Sequence, residues 1–475
     1  MLTYAPKLFF YNYSIDTEAI MLNPYQLIIY WIGIDRWGLS FLKIFSSFGM
    51  VVNVTFINLI TYSLLAVSTI ILCYIFWRSG VKKHYLLLGS FIYLTSPLII
   101  EQTNFILQSV EVVFSFCILY IGIIMIQLYF ESRKSYFLFT SIILTIFAFS
   151  IYQSTIFAFV VLSMIILYLM FKDKSLLVYI KKGLICVMVL ITSIIMNKII
   201  AYSVLWILKL KHASYMDNMF IIGGVSFQDY LYAISKLFIQ YFIQYNNFFL
   251  FALTFLSLFC IIIIFNQKIT KKKIGNENLI ISFISIIGIY FMCIFPLLLM
   301  ANVVARVYVP TIPIALFFLV VIFLSNLSIK SLKKISIILI LILCMGQMKV
   351  TSDFAMTEEA QFQQEIALLS EIKDFLNNVN ITNTEDYKLA VIGMRTFESN
   401  QIIKGDVIGK SFFEWDDGWD RNSRLTHFFY NQGLKFKLIN PEEYQEALKQ
   451  SNNMQSFPAK NSIKINGNIL ILKLI

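Results

Sequence analysis

Between residues 54 and 349 the chain returns repeatedly to uncharged apolar runs close to the ~20 residues that a helix needs to cross a bilayer. In lipid a backbone must satisfy its own N–H and C=O groups, so each run has to be helical. A soluble alternative fails on charge: Asp, Glu, Lys and Arg make up 14% of the chain and apolar residues 59%, against roughly 25% charged in soluble domains. The expected class is mainly α, a polytopic α-helical membrane protein whose first partner is the lipid bilayer. About ten spans are predicted, near residues 54–77, 85–100, 110–130, 136–150, 155–171, 184–207, 247–266, 278–299, 308–325 and 334–349.

The loops between these spans carry charge unequally. One alternating set holds 16 basic residues: Arg78, Lys82, Lys83, Arg133, Lys134, Lys172, Lys174, Lys181, Lys182, Lys268, Lys271, Lys272, Lys273, Lys330, Lys333 and Lys334. The opposing loops at 101–109, 151–154 and 300–307 hold one, Arg306, and the longer 208–246 loop adds Lys209, Lys211 and Lys236. The positive-inside rule assigns the first set to the cytoplasm. The net charge of +11 is therefore a topology signal, and no nucleic-acid partner is implied.

Three regions follow: an outer loop at 1–53, a transmembrane domain at 54–349 and an extracytoplasmic domain at 350–475. An N-terminus that begins outside predicts one further transmembrane helix ahead of it. Residues 24–48 are interrupted by Asp35, Arg36 and Lys43, and their apolar residues fall at helical spacing. They read as one or two helices in the headgroup layer, with Trp31 and Trp37 at the interface. "DYLYAISKLFIQYFIQY" in the 208–246 loop reads similarly. The tail combines an amphipathic helix, "EEAQFQQEIALLSEIKDFLNN", with two strand-like runs, "YKLAVIG" and "GNILILKL", and so predicts a small α/β unit.

Chemistry-bearing residues concentrate on the outer side. Asp16 and Glu18 in "NYSIDTEAI" are placed to take a proton from a hydroxyl at the membrane surface, or else to solvate a loop or cap a helix starting near Thr17. In "EQTNFILQSVE", Glu101 and Glu111 lie at membrane depth, where an ionisable group suggests function. Glu111 opens a span and should face the bundle interior, whereas a solvated turn is the plainer role for Glu101. Tyr152 and Gln153 in "IYQST" either line the same cavity or form a turn. Arg306 in "ANVVARVYVPTIP" suits recognition of a lipid phosphate or snorkelling to headgroups. Arg36 pairs with Asp35 or reaches the headgroups, and Lys209 and Lys211 in "LKLKH" could help hold a phosphate. The tail stretch "FFEWDDGWDRNSR" lacks the glycine and terminal glutamate of a calcium loop and reads as a polar surface or turn. Six cysteines in apolar spans and three histidines without ligand spacing imply neither disulfides nor a metal site.

Several of these motifs resemble one family. "YSIDTE" followed by "WIGIDRWGLSFLK", then "YQST", "ARVYVP" and the closing "MQSFPAKNSIKINGNILILKL" are similar to the bacterial type II glucosyltransferases that modify O-antigen, enzymes with a GT-C-like membrane fold. The resemblance implies transfer of a sugar from undecaprenyl phosphate to a cell-surface glycan on the outer face of the bacterial cytoplasmic membrane. It implies an acidic residue of the first outer loop, Asp16 with Glu18 beside it, as general base. A polyprenyl-phosphate-linked sugar donor and a glycan acceptor are then the partners. The phosphate is already a good leaving group, so neither a metal nor another cofactor is called for. An O-antigen polymerase or ligase, or a lipid-linked oligosaccharide transporter, is the alternative, although no internal repeat of a transporter is present.

Overall fold

The computed structural model describes residues 2–46, 53–213, 226, 228–232, 234–235, 248–271, 275–299, 305–397, 402–405, 407–415 and 418–474. The N-terminal loop folds into four short helices, α1 (Ala5–Phe9), α2 (Thr17–Leu22), α3 (Pro24–Gly33) and α4 (Trp37–Ser46). Proline at the first position of α3 and the Asn23 side chain, which accepts from the Gln26 N–H at 3.3 Å, start that helix. Asp35 takes a left-handed φ of 65° between α3 and α4, so the segment forms two helices.

The apolar runs form α5 (Val54–Arg78), α6 (Lys83–Leu94), α8 (Ser109–Ser132), α9 (Ser135–Ile151), α10 (Thr155–Phe171), α11 (Leu176–Leu208), α12 (Phe248–Lys271), α13 (Asn276–Leu299), α14 (Ile312–Asn326) and α15 (Lys330–Asn378), with the short α7 (Leu98–Thr103) after α6. Among the described residues, five of these (α5, α8, α11, α13 and α15) are long and apolar enough to cross a membrane. Four shorter apolar helices lie within α9, α10, α12 and α14. The run expected to span at 85–100 is not one helix. It breaks at Thr95–Pro97, because Pro97 has no N–H and its ring would clash with the carbonyl one turn back.

α14 is the centre of the bundle. Its residues Ile312–Ile322 and Leu324 are all buried, the pattern of a helix apolar on every side and enclosed by others. Phe317 stacks on Phe76 of α5 at 4.4 Å between ring centroids. On α6, a Cβ at Gly89 would lie 2.0 Å from the Phe317 ring, so only glycine lets α6 and α14 approach this closely.

Contacts sort the loops into two groups at opposite ends of the helices. At one end Arg78 pairs with Glu131, Lys333 bonds the Tyr85 hydroxyl and the Leu176 N–H reaches Glu277 at 3.0 Å. At the other, Gln153 donates to the Ile34 carbonyl at 2.9 Å, the Ala213 N–H to the Gly33 carbonyl at 3.0 Å and Ser14 Oγ to the Asn104 carbonyl at 2.9 Å. Each of these contacts joins loops that the charge pattern places on the same side.

α15 has 49 residues and runs unbroken through residues 349 and 350, where the composition turns from apolar to polar. Its far half carries the rest of the tail: a three-stranded sheet of β1 (Lys388–Ile392), β2 (Ile463–Asn466) and β3 (Ile469–Lys473), with α16 (Gly418–Asn431) and α17 (Pro441–Gln450). The strand order is β1-β3-β2, with β1 parallel and β2 antiparallel to β3. Gly467 allows the turn between β2 and β3 with a φ of 58°. α17 starts with a capping box between Asn440 and Glu443. Buried carboxylates fasten the tail's 402–415 loop to α15: Glu358 accepts the Gly409 N–H at 3.0 Å and Glu365 the Phe412 N–H at 2.9 Å.

Candidate active site

The helix expected near Thr17 does start there, but Asp16 does not cap it. Asp16 sits in the left-handed region, φ 72°, a conformation that a residue other than glycine adopts only when its surroundings hold it there. What meets it is Arg424 of α16. The guanidinium donates from Nη1 to Asp16 Oδ1 at 2.5 Å and to Glu18 Oε1 at 3.2 Å. Asn431, on the same helix, donates to the Glu18 carbonyl at 3.3 Å, and Gln432 to the Tyr13 hydroxyl at 3.1 Å.

The two carboxylates sit in different surroundings. Asp16's side chain is 41% exposed, Glu18's is 1% exposed, and Glu18 Oε2 has no hydrogen-bond partner. Burial, and then the charge of Asp16, push the Glu18 carboxyl up to about 8, against the opposing pull of Arg424. Its surroundings thus favour the protonated form of Glu18, while Asp16 is the side chain open to solvent. His427, one turn along α16, is lowered by burial and by Arg424.

A second group lies at the same end. Arg36 donates to Gln108 Oε1 at 3.3 Å and its guanidinium stands 5.8 Å from the Tyr152 ring centroid. Tyr152 donates its hydroxyl to the Arg306 carbonyl at 2.9 Å, and the Arg306 guanidinium lies 4.4 Å from the Phe105 centroid. Arg36 does not pair with Asp35: Lys198 and His212 take that carboxylate, the histidine at 3.6 Å. α7 packs on the 3-10 turn Ala305–Tyr308, and its neighbour Asn104 receives Ser14 from the acidic loop, so the two groups belong to one connected region.

Glu111 faces the interior and forms a 3.0 Å ion pair with Lys43, both side chains 3% exposed. Glu101 is buried, not a solvated turn residue. A Cβ on Gly405 would come within 2.2 Å of its Oε1, so glycine lets the tail backbone lie directly on this carboxylate. Tyr152 is buried and Gln153 half-buried. Lys209 and Lys211 are exposed at the end of α11. Asp416 and Asp417 lie outside the described residues, as does most of the interfacial helix expected in the 208–246 loop. Asp420 is exposed.

Arg424 is not legible as a site residue from sequence, because it stands 408 residues from Asp16, a separation that no local pattern bridges. The available signal was spacing within "RLTHFFYN": Arg424, His427 and Asn431 fall on one helical face of an otherwise aromatic segment. In the sequence Lys43 only interrupts an apolar run.

No curated protein and no solved structure matches the chain. The sequence profile of the family described as Glucosyl transferase GtrII matches residues 6–324, which hold Asp16, Glu18, Arg36, Glu101, Glu111, Tyr152, Gln153, Lys209, Lys211 and Arg306. That match spans well over half of the sequence, and the chain belongs to the Glucosyl transferase GtrII family of glycosyltransferases.

Proposed function

We propose that the protein moves a glucosyl group from a polyprenyl-phosphate carrier to a cell-surface glycan such as O-antigen, at the outer face of the bacterial cytoplasmic membrane, on a GT-C-like scaffold. The lysine-rich end is the cytoplasmic one. The acidic loop, Arg36, Arg306 and the tail domain then face outward. Asp16 removes the proton from an acceptor hydroxyl, whose oxygen attacks the anomeric carbon. The bond from that carbon to the phosphate oxygen breaks, the configuration inverts and the lipid phosphate leaves with the electron pair. Arg306 and Arg36 meet the charge that develops on that phosphate, and Glu101, Glu111, Tyr152, Gln153, Lys209 and Lys211 shape or flank the same side.

One observation carries this reading. In a chain of a glucosyltransferase family, an accessible carboxylate is held by Arg424 in a strained backbone conformation, in contact with the region that holds two arginines. Glu18, whose surroundings favour the protonated form, supports the base instead of competing with it. The test is transfer from polyprenyl-phosphate glucose by purified full-length protein. Asp16→Asn should lose about 10²–10⁴-fold, the usual contribution of a general base, while Glu18→Gln keeps most of the activity. Wild-type rates from Asp16→Asn would remove Asp16 from the mechanism, and no transfer by the wild type from any lipid-linked hexose would remove the donor assignment.

A further inference from the structure

The segment from Ile99 to Ser109 is buried at every residue, although six of its eleven side chains are polar. Most of these have work within the fold. Thr103 Oγ1 donates to the Ile99 carbonyl at 3.0 Å, Gln108 accepts from Arg36 and Ser109 bonds Thr61 at 2.9 Å. The backbones of Gln102 and Asn104 are also engaged: both carbonyls accept N–H groups two or three residues on, and the Asn104 carbonyl takes Ser14 Oγ as well. Their side-chain amides are the exception. Both are 0% exposed, and all four of their polar atoms lack a hydrogen-bond partner.

Burying an amide without partners is unfavourable, and native interiors contain few such groups. Two of them within three residues make a poor structural device, since leucine or methionine would fill the same space without the penalty. Their chemistry indicates what they would bind. Each amide offers a donor and an acceptor together, as a hydroxyl does, and neither carries the charge that would select a phosphate or a metal ion. Their position fits too, next to Glu101, in contact with the acidic loop through Ser14 and with the Arg306 turn through α7.

We infer that Gln102 and Asn104, closed off from solvent in this conformation, form the subsite for the hydroxyls of the transferred sugar once the donor parts the segments over them, and set which sugar the enzyme accepts. This rests on the proposed lipid-linked donor, and the test separates the two. Purified full-length protein is melted with bare polyprenyl phosphate and with polyprenyl-phosphate glucose, and the difference between the two melting temperatures is the sugar-dependent increment. Transfer is measured in parallel. Wild type should show an increment. Gln102→Met and Asn104→Leu should melt, without donor, at or above wild type because the unsatisfied amides are gone. They should also lose the increment and at least about 100-fold in transfer, as expected where a site is built around a hydroxyl.

The wild type supplies a check that needs no variant: donors carrying deoxy sugars should lose the increment at the hydroxyls the amides hold. An increment unchanged in both variants, or absent from the wild type, overturns the subsite. An increment without transfer supports the subsite while sinking the proposed reaction.

Discussion

Replacing Glu18 by glutamine tests the environment of the acidic loop through stability alone. The carboxyl is raised from its ordinary 4.5 to about 8, first by burial and then by Asp16. In that interval the unfolded chain releases the proton and the folded one keeps it. Glu18's contribution to stability is therefore complete below pH 4.5, falls as pH rises and has no further slope above pH 8. At 1.36 kcal/mol per pH unit the full interval amounts to about 5 kcal/mol. Glutamine is close in shape to the protonated acid, can still accept from Arg424 and has no proton to lose. Glu365, also pushed up to about 8 by burial, is present in both proteins and cancels. Thermal melting of wild type and Glu18→Gln in detergent at steps from pH 4.5 to 9 should give curves that coincide at the acidic end. They should separate in favour of the variant up to about pH 8, by roughly 5–10 °C at 1–2 °C per kcal/mol for a chain this long. Parallel profiles would show that Glu18 ionises normally and that the seam between α2 and α16 is wet.

Other sites give independent checks. Glu111→Gln or Lys43→Met alone leaves a charge at 3% exposure without its partner and should cost about 3–5 kcal/mol; the double variant Lys43→Met/Glu111→Leu should recover most of it, measured as melting temperature. Arg424→Met removes charge-assisted hydrogen bonds of about 1.5–3 kcal/mol and should lower transfer about 10–100-fold, with Arg424→Lys intermediate because it keeps the charge without the fork. Gly89→Ala drives a methyl into Phe317 and should cost about 1–3 kcal/mol, whereas Gly346→Ala, with nothing within 4 Å, should not.

The helical bundle was legible in the sequence because apolar run length and loop charge are local quantities. The break at Thr95–Pro97 was legible as well, in Pro97 itself, but the hydropathy of 85–100 hid it. Of the tail, "YKLAVIG" and "GNILILKL" declare themselves as strands, and they prove to be parallel neighbours, β1 and β3. β2 in "IKIN" was missed, since it is four residues long with three of them exposed. Asp16 and Glu18 could be named from sequence, but the different environments of the two carboxylates could not. That difference depends on Arg424, on the aromatic surface around Tyr13 and on which carboxylate the fold happens to cover. Lys43 and Lys198 were hidden for the same reason: their partners Glu111 and Asp35 stand far away in the chain.

The continuous helix α15 fixes both the height and the heading of the tail above the bundle. At 1.5 Å and about 100° per residue it is about 74 Å long. One residue added between its apolar half and Thr357 would swing Glu358 and Glu365 a quarter-turn or more away from the amides of Gly409 and Phe412. Seven added residues would restore the heading to within about 20° but raise the tail by about 10 Å, carrying Arg424 out of reach of Asp16. The chain can therefore vary its loops in length, but this shaft admits no insertion that keeps both the grip on the tail and the arginine over the acidic loop.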